Sequence, residues 1–160
     1  YGISKRAAED CVKQYCTDNH LPYTIFRFYN VIGTDGFAPT NPDGLMFNLM
    51  KAKDNGLFTI FGKDYEQSWD GTCVRDYVHV MEICEALKLA IEKPSNSTEC
   101  LGHGIGHTVR EMACIFQDVN HCEFEMVYGP RRKGDLPSSV LEDVSPYMRN
   151  LYTLDQLLKI

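Results

Sequence analysis

Residues 70–93, DGTCVRDYVHVMEICEALKLAIEK, decide the fold class of this 160-residue chain, because a strand pattern runs directly into a helix pattern. The first half alternates with a period of two, as a strand with two different faces does. We expect Val74, Val78 and Val80 on one face, and Arg75, Tyr77 and His79 on the polar face. Residues 81–93 repeat apolar side chains at helical spacing and predict an amphipathic helix. Its inward face is expected to contain Ile83, Ala86, Leu87, Ala90 and Ile91.

The alternation of strands and helices continues on both sides of this segment. Toward the N-terminus, it predicts a helix over residues 4–18, a strand covered on both faces over 23–29, a loop over 31–43, a helix ending near residue 53 and a strand over 58–61. Toward the C-terminus, it predicts a strand over 99–104, a helix over 108–119 with a capping box, a strand over 123–128, and helix starts at Ser145-Pro146 and Thr153. This order predicts an α/β fold with parallel strands.

The composition excludes several functional classes. A net charge of -6 argues against a nucleic-acid-binding protein, which needs a basic face. No apolar run approaches the roughly 18 residues of a membrane span, so no membrane partner is expected. The seven cysteines form no C-x-x-C pair, which favours reduced, mostly buried thiols in a cytoplasmic protein. His103 and His107 have no ligand partners at suitable spacing, so no metal site is expected.

Two kinds of residue pattern suggest chemistry. Tyr1 and Lys5 are spaced i, i+4, which places a phenol and an ammonium on the same helix face. A nearby positive charge lowers the pKa of a phenol and makes it a better general base near neutral pH. Arg75 and the loop at 131–137 supply separated arginines, which can bracket a pyrophosphate by forked hydrogen bonds, with Asp135 available for ribose hydroxyls.

The chain contains no G-x-x-G-x-x-G phosphate loop after a strand. The nearest pattern is Gly102-x-Gly104-x-Gly106, whose spacing does not suit a pyrophosphate cradle. We interpret this run as a tight turn.

Five phrases, YGISK, RFYNVIG, IFGKDY, DGTCVRDYVHV and RRKGDLP, occur in order from residue 1 to about residue 137. Together they resemble the extended short-chain dehydrogenase/reductase family, in its UDP-glucose 4-epimerase branch. The resemblance covers only the C-terminal portion of a family member. It implies the C-terminal part of a Rossmann-like doubly wound parallel sheet plus the small substrate-binding α/β domain, without the N-terminal NAD-binding half. Residues 1–30 and about 70–93 would end the Rossmann-like domain, and about 31–69 and 94–160 would form the UDP-sugar domain.

The resemblance also implies a role for each matching residue. Tyr1 would be the catalytic base, Lys5 would bind the nicotinamide ribose and tune Tyr1, and Tyr29 would lie at the nicotinamide. The substrate-binding set would be Asn30 on the UDP-sugar, Thr59, Ile60 and Phe61 around the uracil, Arg75 and Arg132 on the diphosphate, Asp135 on the uridine ribose, and Ser139 at the sugar pocket.

The implied reaction is NAD-dependent 4-epimerisation of a UDP-hexose through a transient 4-keto sugar, carried out by the intact protein as a homodimer. A serine at position 139 replaces the bulky residue of restrictive epimerases, so N-acetylated sugars are also expected as substrates. Two alternatives remain open: another nucleotide-sugar epimerase, such as one for UDP-glucuronate, or a non-catalytic nucleotide-sugar-binding relative. The 160-residue chain alone is expected to be inactive and to self-associate.

Overall fold

The decisive segment folds as strand β4 (Val74–His79) followed without a break by helix α3 (Val80–Glu92). The computed structural model describes residues 1–34, 36, 38–149 and 151–160. The other helices are α1 (Gly2–Asp18), α2 (Leu45–Asn55), α4 (Val109–Val119) and α5 (Leu154–Leu158). The other strands are β1 (Thr24–Phe28), β2 (Asn30–Ile32), β3 (Leu57–Phe61), β5 (Ser97–Leu101), β6 (Gly106–Thr108), β7 (Glu125–Gly129) and β8 (Ser138–Ser139). The predicted α/β class is confirmed.

Parallel pairing dominates the described strands, as the sequence predicted. β1 pairs with β5, β2 with β4, and β3 with β7, each in parallel. β4 also pairs in parallel with β8 and antiparallel with β6. β4 is therefore the strand on which β2, β6 and β8 converge.

The predicted polar face of β4 is wrong. Tyr77 belongs to a large hydrophobic cluster built mainly from α2, α4 and β3, whereas Val78 belongs to a second cluster built on α3 and β5. Both faces of the strand are therefore covered, as is common for a strand in a parallel sheet. Val80 lies in α3 and not in the strand, because His79 ends β4.

Helix α3 presents a different apolar stripe from the predicted one. Ile83 and Ala86 are buried, but Leu87 is 44% exposed and Ile91 is 84% exposed. Leu89 and Ala90 pack against the second cluster. The buried stripe thus runs at i, i+3 and i+6 from Ile83, so Leu87 and Ile91 lie beside it and not within it.

Hydrogen bonds at helix N-termini fix the two strand–helix junctions. The amide of Met81 donates to Nδ1 of His79 (3.2 Å), and the amide of His79 donates to Glu82 (2.9 Å). At α4, the amide of Glu111 donates to Oγ1 of Thr108 (3.0 Å), which confirms the predicted capping box. β4 is therefore followed directly by α3, and β6 directly by α4.

Three further expectations are wrong. The predicted loop 31–43 begins inside β2; Asp35 and Phe37 of that loop lie outside the described residues. Ser145 does not start a helix but a turn, which the amide of Met148 closes by donating to the Ser145 carbonyl (2.9 Å). β1 is not covered on both faces, since it pairs with β5 alone and none of its residues is fully buried.

The cysteines are free thiols, but they are mostly not buried. Cys73 is the only buried one of the seven, while Cys11, Cys84 and Cys114 are exposed. All three exposed thiols lie on helices, and none of them belongs to either cluster. Among the described residues, no helix has the length and hydropathy to cross a bilayer. The same residues contain no group of histidine, cysteine and carboxylate side chains suited to a metal ion.

Candidate active site

A cavity of about 400 Å³ opens where β2, β3 and β4 meet the N-terminal ends of α2 and α4. Six of the predicted site residues line it: Tyr29, Asn30, Thr59, Phe61, Arg75 and Arg132. These residues come from four separate segments of the chain. The fold therefore brings together side chains that the sequence could connect only by resemblance.

Arg75 and Arg132, which line the cavity, form a charged cluster with Asp135. Nε of Arg132 donates to one carboxylate oxygen of Asp135 (2.8 Å), and Nη2 of Arg75 lies 3.8 Å from the other oxygen. Arg75 also donates from Nη1 to the carbonyl of Val74 (2.8 Å). The site thus holds two guanidinium groups, whose planar donors suit phosphate oxygens.

The ends of β1 and β2 position the two residues predicted for the sugar and nicotinamide end. The amide of Tyr29 donates to the Leu101 carbonyl (2.9 Å), and Asn30 donates from Nδ2 to the carbonyl of Asp76 (3.0 Å). Burial raises the pKa of the Tyr29 phenol, and nearby negative charges raise it further. Tyr29 is therefore a neutral hydrogen-bonding group at physiological pH, and Asn30 is held against β4.

Strand β3 supplies an aromatic wall. Its burial alternates, so Thr59 and Phe61 point away from the core while Ile60 is buried within it. The Arg132 guanidinium lies over the Phe61 ring, 5.2 Å from its centroid. Thr59 and Phe61 therefore line the cavity, whereas the Ile60 side chain does not. An exposed ring beside a cation suits a flat, polar base.

Sequence reasoning missed several lining residues. These are Asn41, Asp43 and Asn48 on the approach to α2, and Cys73 and Tyr77 on β4 and just before it. Burial raises the pKa of both the Cys73 thiol and the Tyr77 phenol, so both groups stay protonated at neutral pH. The period-two pattern placed Tyr77 on the same strand face as Arg75, but nothing in the sequence marked it as a site residue.

Tyr1 and Lys5 lie outside this cavity. Both are exposed on the first turns of α1, with Tyr1 95% exposed. The Lys5 ammonium is 5.4 Å from the centroid of the Tyr1 ring. The predicted i, i+4 proximity is thus present, and the pair faces open space instead of the cavity.

Two other predicted substrate-binding residues, Asp135 for the uridine ribose and Ser139 for the sugar, do not line the cavity. Asp135 forms ion pairs with both Arg75 and Arg132. Ser139, on β8, pairs in register with Arg75. Both are therefore attached to the arginine cluster through the segment 131–139.

The aspartates of the DGTCVRD phrase have structural partners. Asp70 accepts from the Thr72 amide and from Oγ1 of Thr108 (2.8 and 2.6 Å). Asp76 is fully buried and accepts from the amides of His103 and Gly104, both at 2.8 Å. The Gly102–Gly106 run therefore wraps an internal carboxylate and ends at the first residue of β6.

The chain matches the NAD dependent epimerase/dehydratase family model over residues 1–101. It is 35% identical over 150 residues to a UDP-glucose 4-epimerase of Bacillus subtilis (strain 168), covering 85% of this chain and 44% of that relative. A solved UDP-glucose 4-epimerase from Stenotrophomonas maltophila contains bound NAD and formylated UDP-arabinopyranose. Its structure matches this chain with a TM-score of 0.87 at 27% identity, and the match covers 99% of this chain and 52% of that one.

A second solved structure is the UDP-glucose 4-epimerase of Thermotoga maritima with UDP-glucose. It matches with a TM-score of 0.84 and 31% identity over 99% of this chain and 50% of that one. The chain spans less than half the length of the curated relative and about half of each solved chain. The fold prediction, the partial parallel α/β architecture of such epimerases, is confirmed.

Proposed function

The chain belongs to the NAD dependent epimerase/dehydratase family, and on that basis we propose that it forms the UDP-sugar-binding part of an NAD-dependent UDP-hexose 4-epimerase. The reaction would be an isomerisation at the sugar C4 through a transient 4-keto sugar. The observation that supports this proposal most strongly is the convergence of Arg75, Arg132 and Phe61 on one cavity. Two guanidinium groups beside an exposed aromatic ring match a nucleoside diphosphate in charge and shape.

In this proposal, each part of the cavity has one task. Arg75 and Arg132 bind the diphosphate, while Phe61 and Thr59 contact the uracil together with the backbone at Ile60. Asn30 binds the sugar end, and its hydrogen bond to β4 keeps it oriented. Asp135 accepts hydrogen bonds from the uridine ribose, and Ser139 lies toward the sugar. By the family resemblance, Tyr1 would take up the proton of the sugar C4 hydroxyl.

NAD fits the chain at its nicotinamide end only. Lys5 and Tyr1 offer an ammonium and a phenol on one helix face, a donor set suited to a ribose, and Tyr29 offers a second phenol at the cavity. In contrast, the Gly102–Gly106 run cannot hold a diphosphate, because the Asp76 carboxylate already occupies its amides. When bound, NAD supplies the acceptor and donor of the hydride. The residues of this chain hold the substrate and move its proton.

The binding part of the proposal is tested by calorimetric titration of the chain with UDP. We expect Arg75→Gln and Arg132→Gln each to weaken UDP binding by about tenfold to a hundredfold, since each removes one charged hydrogen-bonding group worth about 1.5–3 kcal/mol. Binding of uridine, which has no phosphate, should change far less.

Arg131→Gln is the matched control. Arg131 is adjacent in sequence, but it binds Asp64 (2.7 Å) and lies over the Tyr65 ring, outside the cavity. Its loss should leave the dissociation constant of UDP within about twofold. Equal losses in all three variants, or no UDP binding by the folded wild-type chain, would refute the proposal.

The range of sugars is a second part of the proposal. With serine at position 139, the site should accept UDP-N-acetylglucosamine as well as UDP-glucose. Ser139→Tyr should then reduce binding of the N-acetylated ligand and spare UDP-glucose. Binding of UDP-glucuronate in preference to both would favour the alternative that this is another nucleotide-sugar epimerase.

We propose the same two domains that the resemblance implies. Residues 1–30 and about 70–93 would end the Rossmann-like domain, and about 31–69 and 94–160 would form the UDP-sugar domain. The pairing of β1 with β5 joins the Rossmann-like part to the UDP-sugar part. The whole protein would be a homodimer.

A further inference from the structure

The carboxylate of Asp135 is paired with both arginines of the cavity, although Asp135 itself does not line it. One of its oxygens binds Nε of Arg132 (2.8 Å), and the other faces Nη2 of Arg75 (3.8 Å). Asp135 therefore uses both oxygens on the same two guanidinium groups that line the cavity. In the chain as folded, the arginine pair already has a counterion.

The three side chains differ in how firmly they are held. Arg75 is 14% exposed and is tied to its own strand by the bond to the Val74 carbonyl. Asp135 is 20% exposed and is held by a turn in which its amide donates to the Arg132 carbonyl (3.2 Å). Arg132 is 48% exposed and rests over Phe61. Arg75 and Asp135 thus form the fixed side of the cluster, and Arg132 the adjustable side.

This arrangement carries a cost for any anion that enters. A phosphate group that reaches both guanidinium groups must approach the Asp135 carboxylate, and like charges a few ångströms apart repel each other in a partly buried site. It must also weaken the existing ion pairs. An anion that offers only negative charge gains nothing from Asp135 in return.

We propose that Asp135 is a resident counterion that makes the arginine pair selective for nucleoside diphosphates over inorganic phosphate and pyrophosphate. This inference rests on the proposed function. A nucleoside diphosphate brings ribose hydroxyls that can donate hydrogen bonds to Asp135. Asp135 would then lose contacts with the guanidinium groups to the diphosphate and gain hydrogen bonds from the ribose. Inorganic pyrophosphate has no such donors and meets the repulsion alone.

The test compares inorganic pyrophosphate and UDP as ligands of the wild-type chain and of Asp135→Asn, by calorimetric titration. We expect Asp135→Asn to bind pyrophosphate at least about tenfold more tightly than the wild type, because the repelling charge is gone. UDP should gain less or should weaken, because the same change removes the acceptor for its ribose. The preference for UDP over pyrophosphate should therefore fall by at least about tenfold.

Two control variants separate this role from a general charge or folding effect. Asp135→Glu keeps the negative charge and should keep pyrophosphate binding weak. Asp118→Asn removes a negative charge from an exposed position near the end of α4 and should leave both ligands unaffected. Circular dichroism and the thermal midpoint confirm that each variant is folded; if Asp135→Asn does not fold, Asp135→Ser takes its place.

The outcomes distinguish this inference from the proposed function. If the wild type binds UDP but Asp135→Asn binds pyrophosphate no more tightly, the counterion role is wrong and the proposed function stands. If the folded wild type binds no UDP, the proposed function fails, and the selectivity inferred from it fails as well. Tighter pyrophosphate binding in Asp118→Asn as well would also overturn the inference.

Discussion

At the scale of single residues, Asp76 shows how a charged residue in a functional-looking phrase can be structural. It accepts hydrogen bonds from three backbone amides, of His103, Gly104 and Leu141, and is fully buried. A Cβ at Gly102 would lie 2.6 Å from one of its oxygens, so that position needs glycine. The preceding residue, Arg75, looks equally polar in the sequence, yet it lines the cavity.

Tyr65 carries a buried hydroxyl with no hydrogen-bond partner among the described residues. Burial and the nearby charge of Asp135 raise the pKa of this phenol. We expect Tyr65→Phe to leave the free energy of unfolding unchanged or to raise it by up to about 1 kcal/mol, because the variant no longer buries an unsatisfied polar group. Urea denaturation measures the change.

Tyr147→Phe is the natural comparison for that prediction. The Tyr147 hydroxyl donates to the carbonyl of Lys93 (2.6 Å), so its loss should cost about 1 kcal/mol. A loss of similar size in both variants would mean that the Tyr65 hydroxyl does have a partner in solution.

His103 and Glu82 form a buried pair with a definite pH dependence. Nε2 of His103 lies 2.8 Å from Glu82, which also accepts from the amides of His79 and Leu151. The hydrogen bond to Glu82 raises the pKa of His103 above its ordinary 6.5. Burial alone would raise the pKa of Glu82, but these hydrogen bonds hold it below its ordinary 4.5.

The two shifts act at opposite ends of the pH range. The contribution of His103 is complete below pH 6.5 and is lost as the pH rises through its folded pKa. That of Glu82 is present above pH 4.5 and is lost as the pH falls through its folded pKa. The pair therefore stabilises the fold most between about pH 4.5 and 6.5, and we expect the free energy of unfolding to decline on the alkaline side of this window.

Denaturation of His103→Gln as a function of pH tests this expectation. The variant should lose the alkaline decline that belongs to this histidine. His20→Asn is a suitable control, because His20 is exposed and has a positive φ that asparagine tolerates. If His103→Gln keeps the wild-type slope above pH 6.5, the assignment is wrong.

At the scale of elements, the sequence predicted those parts whose signal is local. The β4–α3 junction and the α4 capping box follow from periodicity and capping residues, and both were found. The short strands β6 and β8 could not be predicted, because each has only two or three residues and exists by pairing with β4. The same dependence on neighbours explains the errors at Tyr77 and Ile91: burial on a strand or helix is decided by what packs against it.

The same division applies to the candidate site. Tyr29, Arg75 and Arg132 lie within recognisable phrases, and the resemblance could point to them. Asn41 and Cys73 gave no comparable signal, because they reach the cavity only through the way α2 and β4 meet. The bridge from Asp135 to both arginines joins residues 60 positions apart and follows from the folded structure alone.

Helix α1 has an apolar face that no described part of the chain covers. None of its residues is buried, and Val12 and Tyr15, which are spaced i, i+3, are both exposed, although Glu9 anchors the helix to Arg27 of β1 by two hydrogen bonds. We expect the wild-type chain to self-associate through residues 6–18, because an exposed apolar stripe favours burial against another surface.

The double variant Val12→Glu, Tyr15→Glu tests this role in sedimentation velocity. It should shift the chain toward the monomer and change the free energy of unfolding by no more than about 0.5 kcal/mol, since neither side chain packs within the fold. Leu136→Glu, which changes an exposed apolar residue in a loop, should leave association unchanged. A wild-type chain that is already monomeric would contradict the expectation.

At the scale of the whole molecule, the proposed function requires one cavity to bind a UDP-sugar. Strands β2, β3 and β4 bring Asn30, Phe61 and Arg75 to that cavity, while Tyr1 and Lys5 lie outside it, at the start of α1. The proposed function therefore predicts that the chain binds a nucleotide sugar but does not complete the reaction alone.

The most direct test is to follow the backbone amides of the isotopically labelled chain by nuclear magnetic resonance while UDP-glucose is added. We expect saturable shifts at residues 29–32, 59–61, 73–77 and 131–135, and none at residues 117–124, which do not line the cavity. Shifts confined to other regions, or none in a folded chain at millimolar UDP-glucose, would refute the proposed binding site.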